Sequence, residues 1–208
     1  GGQVALSLVL LVAAGLFLKT LHHLQAFDPG FETDGVLTLR VDASLNGYRG
    51  EVLLDLCEQI REGLTHVPGV TSAAMASFSP VTGSGSWTHA EVPDGPSVDI
   101  YFGAVDPAFF ETLQVELLAG RTLSVDDRQD APPVAVVNQA FVRSVLGGET
   151  AIGTRVTMGL DGHDRPLEVV GVVADTKTRG PAEPAGPVLY RPLAQAHRAL
   201  GNAELARE

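Results

Sequence analysis

Few residues in this chain have the type and spacing that catalysis requires. Cys57 and His66 could supply a thiol nucleophile and its base, but at about 100° per helical residue their separation places them on opposite sides of one helix. Cys57 also lies among Leu53, Leu56 and Ile60, which is typical of a small core residue. We therefore predict no thiol chemistry here.

Two other groups could bind a metal or act as a nucleophile. Asp161, His163 and Asp164 are ligand types, yet they occupy a turn in which Asp and Gly are favoured by the backbone alone. Ser84 and Ser86 lie in a Gly-rich stretch without the strand-Ser-helix elbow of a hydrolase. We predict no catalytic residue, no metal site and no enzyme activity. A membrane-tethered hydrolase using His163 and Asp164 is the weakest alternative.

The charge balance and the missing nucleotide motif exclude further classes. The formal net charge is −11, with 25 acidic and 14 basic residues. Phosphate contacts need clustered Lys and Arg, so we predict no nucleic-acid partner. The pattern G-x-x-x-x-G-K-[ST] is absent from the sequence, so we predict no P-loop nucleotide and no cofactor. Any energy from ATP would have to come from another subunit.

The N-terminal stretch is apolar on every helical face. Residues 4–18 carry no charge, and Ser7 is the one polar side chain among them. An amphipathic surface helix would have a polar side, so we predict a transmembrane helix over residues 1–20. A signal peptide and a buried core helix are the alternatives, but no Lys or Arg precedes Lys19, as a signal peptide would require. The predicted membrane anchor comprises Val4, Leu6, Leu8, Val9, Leu10, Leu11, Val12, Leu16, Phe17 and Leu18.

The remaining sequence alternates irregularly between strand and helix patterns. A strand over 36–41, an amphipathic helix over 51–64 and a strand over 70–78 would form a βαβ-sized unit. A hairpin of strands 88–92 and 98–105 follows, then a short helix over 108–113. We predict a strand over 134–137 that is buried on both faces, followed by a helix over 140–146 that Asn138 caps. Strands over 154–158, 167–174 and 188–190 complete a mixed α+β fold.

Read in order, these segments resemble the periplasmic core domain of MacB-like and FtsX-like ABC transporter permeases, especially the orphan permeases of Acidobacteria. The resemblance rests on order and spacing along nearly the whole chain. Its segments are 3–7 with 15–18, 28–31 with 36–38, 67–70 with 73–74, 109–110 with 120–121, 132–138 with 140–141, 152–153, 169–173 with 175, and 190–193. The family-motif residues to which we assign structural roles are Pro68, Gly69, Gly120, Arg121, Asn138, Gly153, Gly171, Asp175 and Pro192.

The resemblance implies a two-lobed extracytoplasmic domain. Residues 21–82 and 166–193 would form an incomplete porter-like lobe, residues 83–165 an inserted lobe of strands and helices, and residues 194–208 a frayed tail. The family continues beyond Pro192 with more domain and three further membrane helices, so the resemblance implies a truncated fragment.

The resemblance also implies partners and a location. These are the bacterial inner membrane, a cytoplasmic ATPase subunit, a periplasmic adaptor and a dimer of permease units, with the main domain in the periplasm. We therefore predict a non-catalytic permease domain that serves export or mechanotransmission. The alternative is a membrane-anchored binding module for a peptide or partner protein that works independently of a pump.

Overall fold

The computed structural model of the protein describes residues 2–25, 30–41, 51–79, 85–93, 95–148, 150–159, 166–177 and 184–196. Its helices are α1 (Gly2–Gln25), α2 (Glu51–Thr65), α3 (Phe109–Thr112) and α4 (Gln139–Ser144). Its strands are β1 (Ser86–Glu91), β2 (Val98–Val105), β3 (Leu117–Gly120), β4 (Val134–Asn138), β5 (Arg155–Met158), β6 (Leu167–Val173) and β7 (Val188–Pro192). The mixed α+β fold predicted from the sequence, with an N-terminal apolar helix, is confirmed.

The strands form one sheet that closes on itself. The order is β3-β6-β4-β7-β2-β1-β5, and β5 pairs in addition with β6. The strands β6, β4, β7, β2, β1 and β5 therefore make a ring. β2 runs parallel to β7 and β4 parallel to β6, whereas the other pairs are antiparallel. Closure pairs strand edges that would otherwise be open to association.

Side chains alternate between two hydrophobic clusters on opposite faces of this sheet. The inner cluster receives a buried residue from each strand of the ring, and these residues are Ala90, Ile100, Ala135, Val137, Val156, Met158, Leu167, Val169, Val172 and Leu189. The outer cluster is rich in aromatic side chains, namely Phe31, Phe78, Tyr101, Phe109, Phe110 and Tyr190. α4 supplies Phe141 to the inner cluster, whereas α3 supplies Phe109 and Phe110 to the outer one.

Several predictions about individual elements are confirmed. The hairpin of β1 and β2 is antiparallel, and β2 has the predicted bounds. All five residues of β4 are buried, as its uninterrupted apolar run indicates. Asn138 caps α4 through its side chain. β3 was not predicted, because its four residues are all exposed and show no alternation of apolar and polar side chains.

The predictions of a strand before α2 and a strand after it are both wrong. Residues 36–41 have no regular secondary structure, and Leu37 is 81% exposed. Residues 70–78 contribute one isolated bridge, between Ala76 and Val105. A strand needs a hydrogen-bonded neighbour, and local apolar character alone does not supply one. The turn at 161–162 and residues 197–208 of the tail lie outside the described residues, while residues 193–196 form a helical turn.

The inner cluster should make α4 essential for stability. Phe141 is fully buried, so Phe141→Ala should lower the free energy of unfolding by about 3–5 kcal/mol through lost burial and a residual cavity. Val125→Ala is the control, because Val125 is 78% exposed and should change stability by less than about 0.5 kcal/mol. Chemical denaturation of both variants checks this. Equal stability of the two would contradict the assignment of Phe141 to the core.

Candidate functional site

Most of the family-motif residues converge on β6 and on the strand ends beside it. Gly171 lies in β6, Gly120 ends β3, Asn138 ends β4 and Pro192 ends β7. Gly153 donates its backbone N–H to the carbonyl of Val169 in β6, at 2.8 Å. Pro68 and Gly69 instead occupy an exposed turn that follows α2. The structural roles assigned to this set from the sequence stay a prediction.

Asn138 connects three segments of the chain through one buried amide. Its Oδ1 accepts hydrogen bonds from the backbone N–H groups of Phe141 and Val188, each at 2.9 Å. Its Nδ2 donates to the carbonyl of Gly186, also at 2.9 Å. The residue has no exposed surface, so water cannot replace these bonds. The amide therefore holds β4, α4 and the start of β7 together.

Asp175 completes the start of α4 from a second segment. Its Oδ1 accepts the backbone N–H of Ala140, and its Oδ2 accepts a charge-assisted bond from Arg143, each at 2.6 Å. The N–H groups of the first helical turn have no partner inside the helix, so Asn138 and Asp175 satisfy two of them. The segment that follows β6 is thereby bonded to α4.

Gly120 and Gly171 allow two backbones to approach closely. Gly120 has φ of +72°, and a Cβ there would overlap the carbonyl oxygen of Val170. A Cβ at Gly171 would overlap the carbonyl oxygen of Arg121. Side chains at these two positions would force β3 away from β6.

Arg121 and Asp127 form a bidentate ion pair at the end of β3. Both nitrogen-to-oxygen distances are 2.8 Å, and Asp127 also accepts the backbone N–H of Ser124 at 2.8 Å. Burial alone would raise the pKa of Asp127, but the bonds from Arg121 and Ser124 outweigh it and hold that pKa below its usual range. The acidic stretch around Asp127 is therefore an ordered, internally paired loop.

Gln195 connects this acidic loop to the end of β7, and the sequence did not reveal it. Its Nε2 donates to the carbonyls of Arg128 and Pro132, each at 3.1 Å. Its Oε1 accepts the N–H of Val134 at 3.2 Å, and its own carbonyl accepts from Arg191 at 2.8 Å. A lone Gln in a tail without periodicity gave no indication of this role.

The chain reaches the sheet at a contact that we call the junction, formed by Gly30, Phe31 and Glu32. Phe31 is 8% exposed and belongs to the outer cluster. The backbone N–H of Glu32 donates to the carbonyl of Leu113 at 3.0 Å. Gly30 has φ of +81°, and a Cβ there would overlap the carbonyl oxygen of Asp175. The junction therefore touches the segment that carries the α4 cap.

α1 has the length and composition of a membrane span. Residues 2–19 are exposed throughout, so no residue of this apolar stretch is buried within the described structure. Among the described residues, α1 is the one helix long and apolar enough to cross a membrane. The side chain of Ser7 donates to the carbonyl of Gln3, so its hydroxyl is bonded within the helix itself.

Of the catalytic candidates considered from the sequence, the structure describes Cys57, His66 and Ser86. Cys57 is half-buried in α2, and burial raises the pKa of its thiol, which lowers its reactivity. His66 is exposed, and its Nδ1 lies 2.7 Å from the carbonyl of Glu62. Among the described residues, no group of three potential metal ligands occurs. Asp161, His163, Asp164 and Ser84 lie outside the described residues, whereas Ser86 is exposed in β1.

Comparison with known proteins identifies what this arrangement resembles. Residues 4–206 match the sequence profile of the family described as MacB-like periplasmic core domain. The periplasmic region of MacB from Actinobacillus actinomycetemcomitans is 19% identical with a TM-score of 0.52, covering 69% of this chain and 58% of that one. The extracellular domain of the ABC-type transporter YknZ from Gram-positive bacteria is 19% identical with a TM-score of 0.51, covering 69% and 66%. No curated protein matches the chain.

These two likenesses support the fold, and each leaves part of the relative unmatched. The chain spans 58% of the length of the MacB region and 66% of that of the YknZ domain.

The buried amide of Asn138 should be costly to remove. Asn138→Ala would leave two N–H groups and one carbonyl without partners, so we expect the free energy of unfolding to fall by about 2–4 kcal/mol. Gln139→Ala is a matched control on the adjacent, exposed position of α4. Thermal and denaturant unfolding of both variants measure the difference. A loss confined to the control would contradict the role given to Asn138.

The Arg121–Asp127 pair should make stability depend on acid pH. Because the folded-state pKa of Asp127 is lowered, its contribution is present above the ordinary aspartate pKa of about 3.9 and is lost as pH falls through the folded value. Asp127→Asn should therefore be less stable than the wild type at pH 7 and lose less stability between about pH 4 and pH 2. Asp126→Asn, at the exposed neighbour, is the control. Parallel pH profiles for wild type and Asp127→Asn would rule this out.

Proposed function

Because the chain belongs to the family of MacB-like periplasmic core domains, we propose that it is the non-catalytic extracytoplasmic part of an ABC-type permease, carried on its own membrane helix. The observation that carries this proposal is the extent of the family match, which starts at residue 4 inside α1 and runs to residue 206. The family profile thus covers both the apolar helix α1 and the closed sheet.

The proposed work of this unit is export or mechanical transmission. The sequence has no P-loop, so ATP would act in a cytoplasmic ATPase subunit that moves the membrane helices. A densely bonded sheet suits such a role because packed elements move as rigid bodies. A periplasmic adaptor and a second permease unit are the further partners that we propose.

The proposed placement is the bacterial inner membrane, with residues beyond α1 on the periplasmic side. The exposed apolar surface of α1 supports this placement, since the same surface in water would favour aggregation. The absence of a nucleotide-binding motif is consistent with a domain on the side away from ATP.

The proposed division into lobes follows the family. Residues 21–82 and 166–193 would form the porter-like lobe, and residues 83–165 the inserted one. The exposure of residues 37–41, together with the half-buried apolar face of α2, supports a porter-like lobe that the described residues do not complete. In the ring, strands from both proposed lobes pair with one another, as β6 does with β4 and β5.

Carbonate extraction combined with protease protection tests the placement. In intact cells the chain should stay in the membrane pellet and be digested only after the outer membrane is permeabilised. Leu10→Lys with Leu11→Lys should release it, because a charge near the helix centre costs about 2.5–3.5 kcal/mol per residue. Leu37→Lys with Leu39→Lys is the matched control outside α1 and should not release it.

A wild-type chain that keeps its N-terminus and remains in the soluble fraction would rule out the permease proposal. Retention in the pellet with digestion from the cytoplasmic side alone would contradict the proposed orientation.

A further inference from the structure

We infer that the junction of Gly30, Phe31 and Glu32 is the contact through which movement of α1 enters the sheet, and that Asp175 passes that movement to α4. This inference rests on the proposed permease function, because that function gives α1 a movement to transmit. It goes further by naming the residues that receive and relay it. The contacts that carry it form a continuous path from the chain beyond α1 to the inner cluster.

The first step of the path is attachment at the junction. The aromatic ring of Phe31 is almost fully buried in the outer cluster, and the N–H of Glu32 is bonded to Leu113. Residues 32–35 and 37–41 are exposed, so Phe31 is the buried residue of this stretch, and Val36 packs more loosely against the same cluster. Among the described residues that follow α1, these are the first in chain order to contact the sheet.

The second step is the close backbone contact between Gly30 and Asp175. Because a Cβ at Gly30 would overlap the carbonyl oxygen of Asp175, no compressible side chain separates the two segments. Thr176, the next residue, is 4% exposed, and its hydroxyl lies 3.0 Å from that of Tyr190 in β7. The segment that receives the contact is thus itself anchored in the outer cluster.

The third step is the Asp175 carboxylate, which reaches α4. One oxygen accepts the N–H of Ala140 and the other accepts from Arg143, so both oxygens are bonded to the same helix. α4 places Phe141 in the inner cluster with no exposed surface. A shift of the Asp175 backbone therefore alters the bonds that fix α4 over the interior of the ring.

The alternative is that the junction merely attaches the chain locally. In that case a change at Gly30 would disturb residues 30–32 and Leu113 but would leave α4 unaffected. The two roles differ in one observable, the protection of the Ala140 amide from hydrogen exchange. That amide is far from Gly30 in sequence and is bonded to the Asp175 carboxylate.

Gly30→Ala and Gly35→Ala form a matched pair for this test. Both glycines have positive φ, +81° and +76°, so alanine introduces similar backbone strain at each. At Gly35 a Cβ would meet nothing within 4 Å, whereas at Gly30 it would overlap Asp175. Any difference between the variants therefore reports the contact and not the strain.

Amide hydrogen exchange of the full chain in lipid nanodiscs is the measurement. We expect Gly30→Ala to accelerate exchange at both Glu32 and Ala140 by at least about tenfold relative to Gly35→Ala, as local opening does when a holding contact is lost. The amides of β1, which pairs with β2 and β5 and not with β4, β6 or β7, should keep their protection, which excludes global unfolding. Acceleration at Glu32 alone, or at neither amide, would overturn the relay.

Phe31→Leu keeps the test decisive if Gly30→Ala does not fold. Loss of the ring should loosen the junction more mildly and accelerate the same two amides by about twofold to fivefold. Leu37→Ala, at an 81% exposed position, should change neither. If the chain is soluble in the extraction experiment, the permease proposal fails, but a measured effect of Gly30→Ala on hydrogen exchange at Ala140 still stands. Unchanged exchange at Ala140 would remove the relay while leaving the permease proposal standing.

Discussion

The closure of the sheet depends on β6, because both edges of this strand form hydrogen bonds with neighbouring strands. One edge pairs with β4 along most of its length. The other edge is shared, since β5 pairs with Leu167 and Glu168 while β3 pairs further along, near Gly171. Because β5 also pairs with β1, this divided edge is what turns an open sheet into a ring. The glycines at 120 and 171 matter because they allow β3 to lie against the second half of that edge.

The chemistry-bearing side chains of the sheet are used for attachment. Arg121 and Asp127 order an acidic loop, Asn138 joins three segments, and Asp175 with Arg143 fixes a short helix. Each of these polar groups is bonded to another part of the same chain. Such internal bonding gives the domain a fixed shape, which the proposed permease role would require.

The sequence predicted elements whose patterns are local and missed features that need a distant partner. The buried run of β4 and the Asn138 cap could be read from neighbouring residues. Residues 36–41 looked like a strand for the same local reason, yet pairing depends on which backbone lies beside them. The roles of Gln195 and Phe31 were invisible, since one polar residue in a tail and one aromatic after a turn carry no periodicity. Clustering of the family-motif residues around β6 likewise required the pairing of strands far apart in sequence.

The burial of β4 on both faces leaves its alignment to be decided by something other than hydrophobicity. Val134 and Val136 face the outer cluster, while Ala135 and Val137 face the inner one. A slip by one position would exchange apolar residues for apolar residues, so little solvent exposure would oppose it. The side-chain amide of Asn138, at the end of β4, sets the alignment, since it can form hydrogen bonds with Val188 and Gly186 in one register alone. Asn138 thus fixes the register of a strand whose apolar side chains alone would not define it.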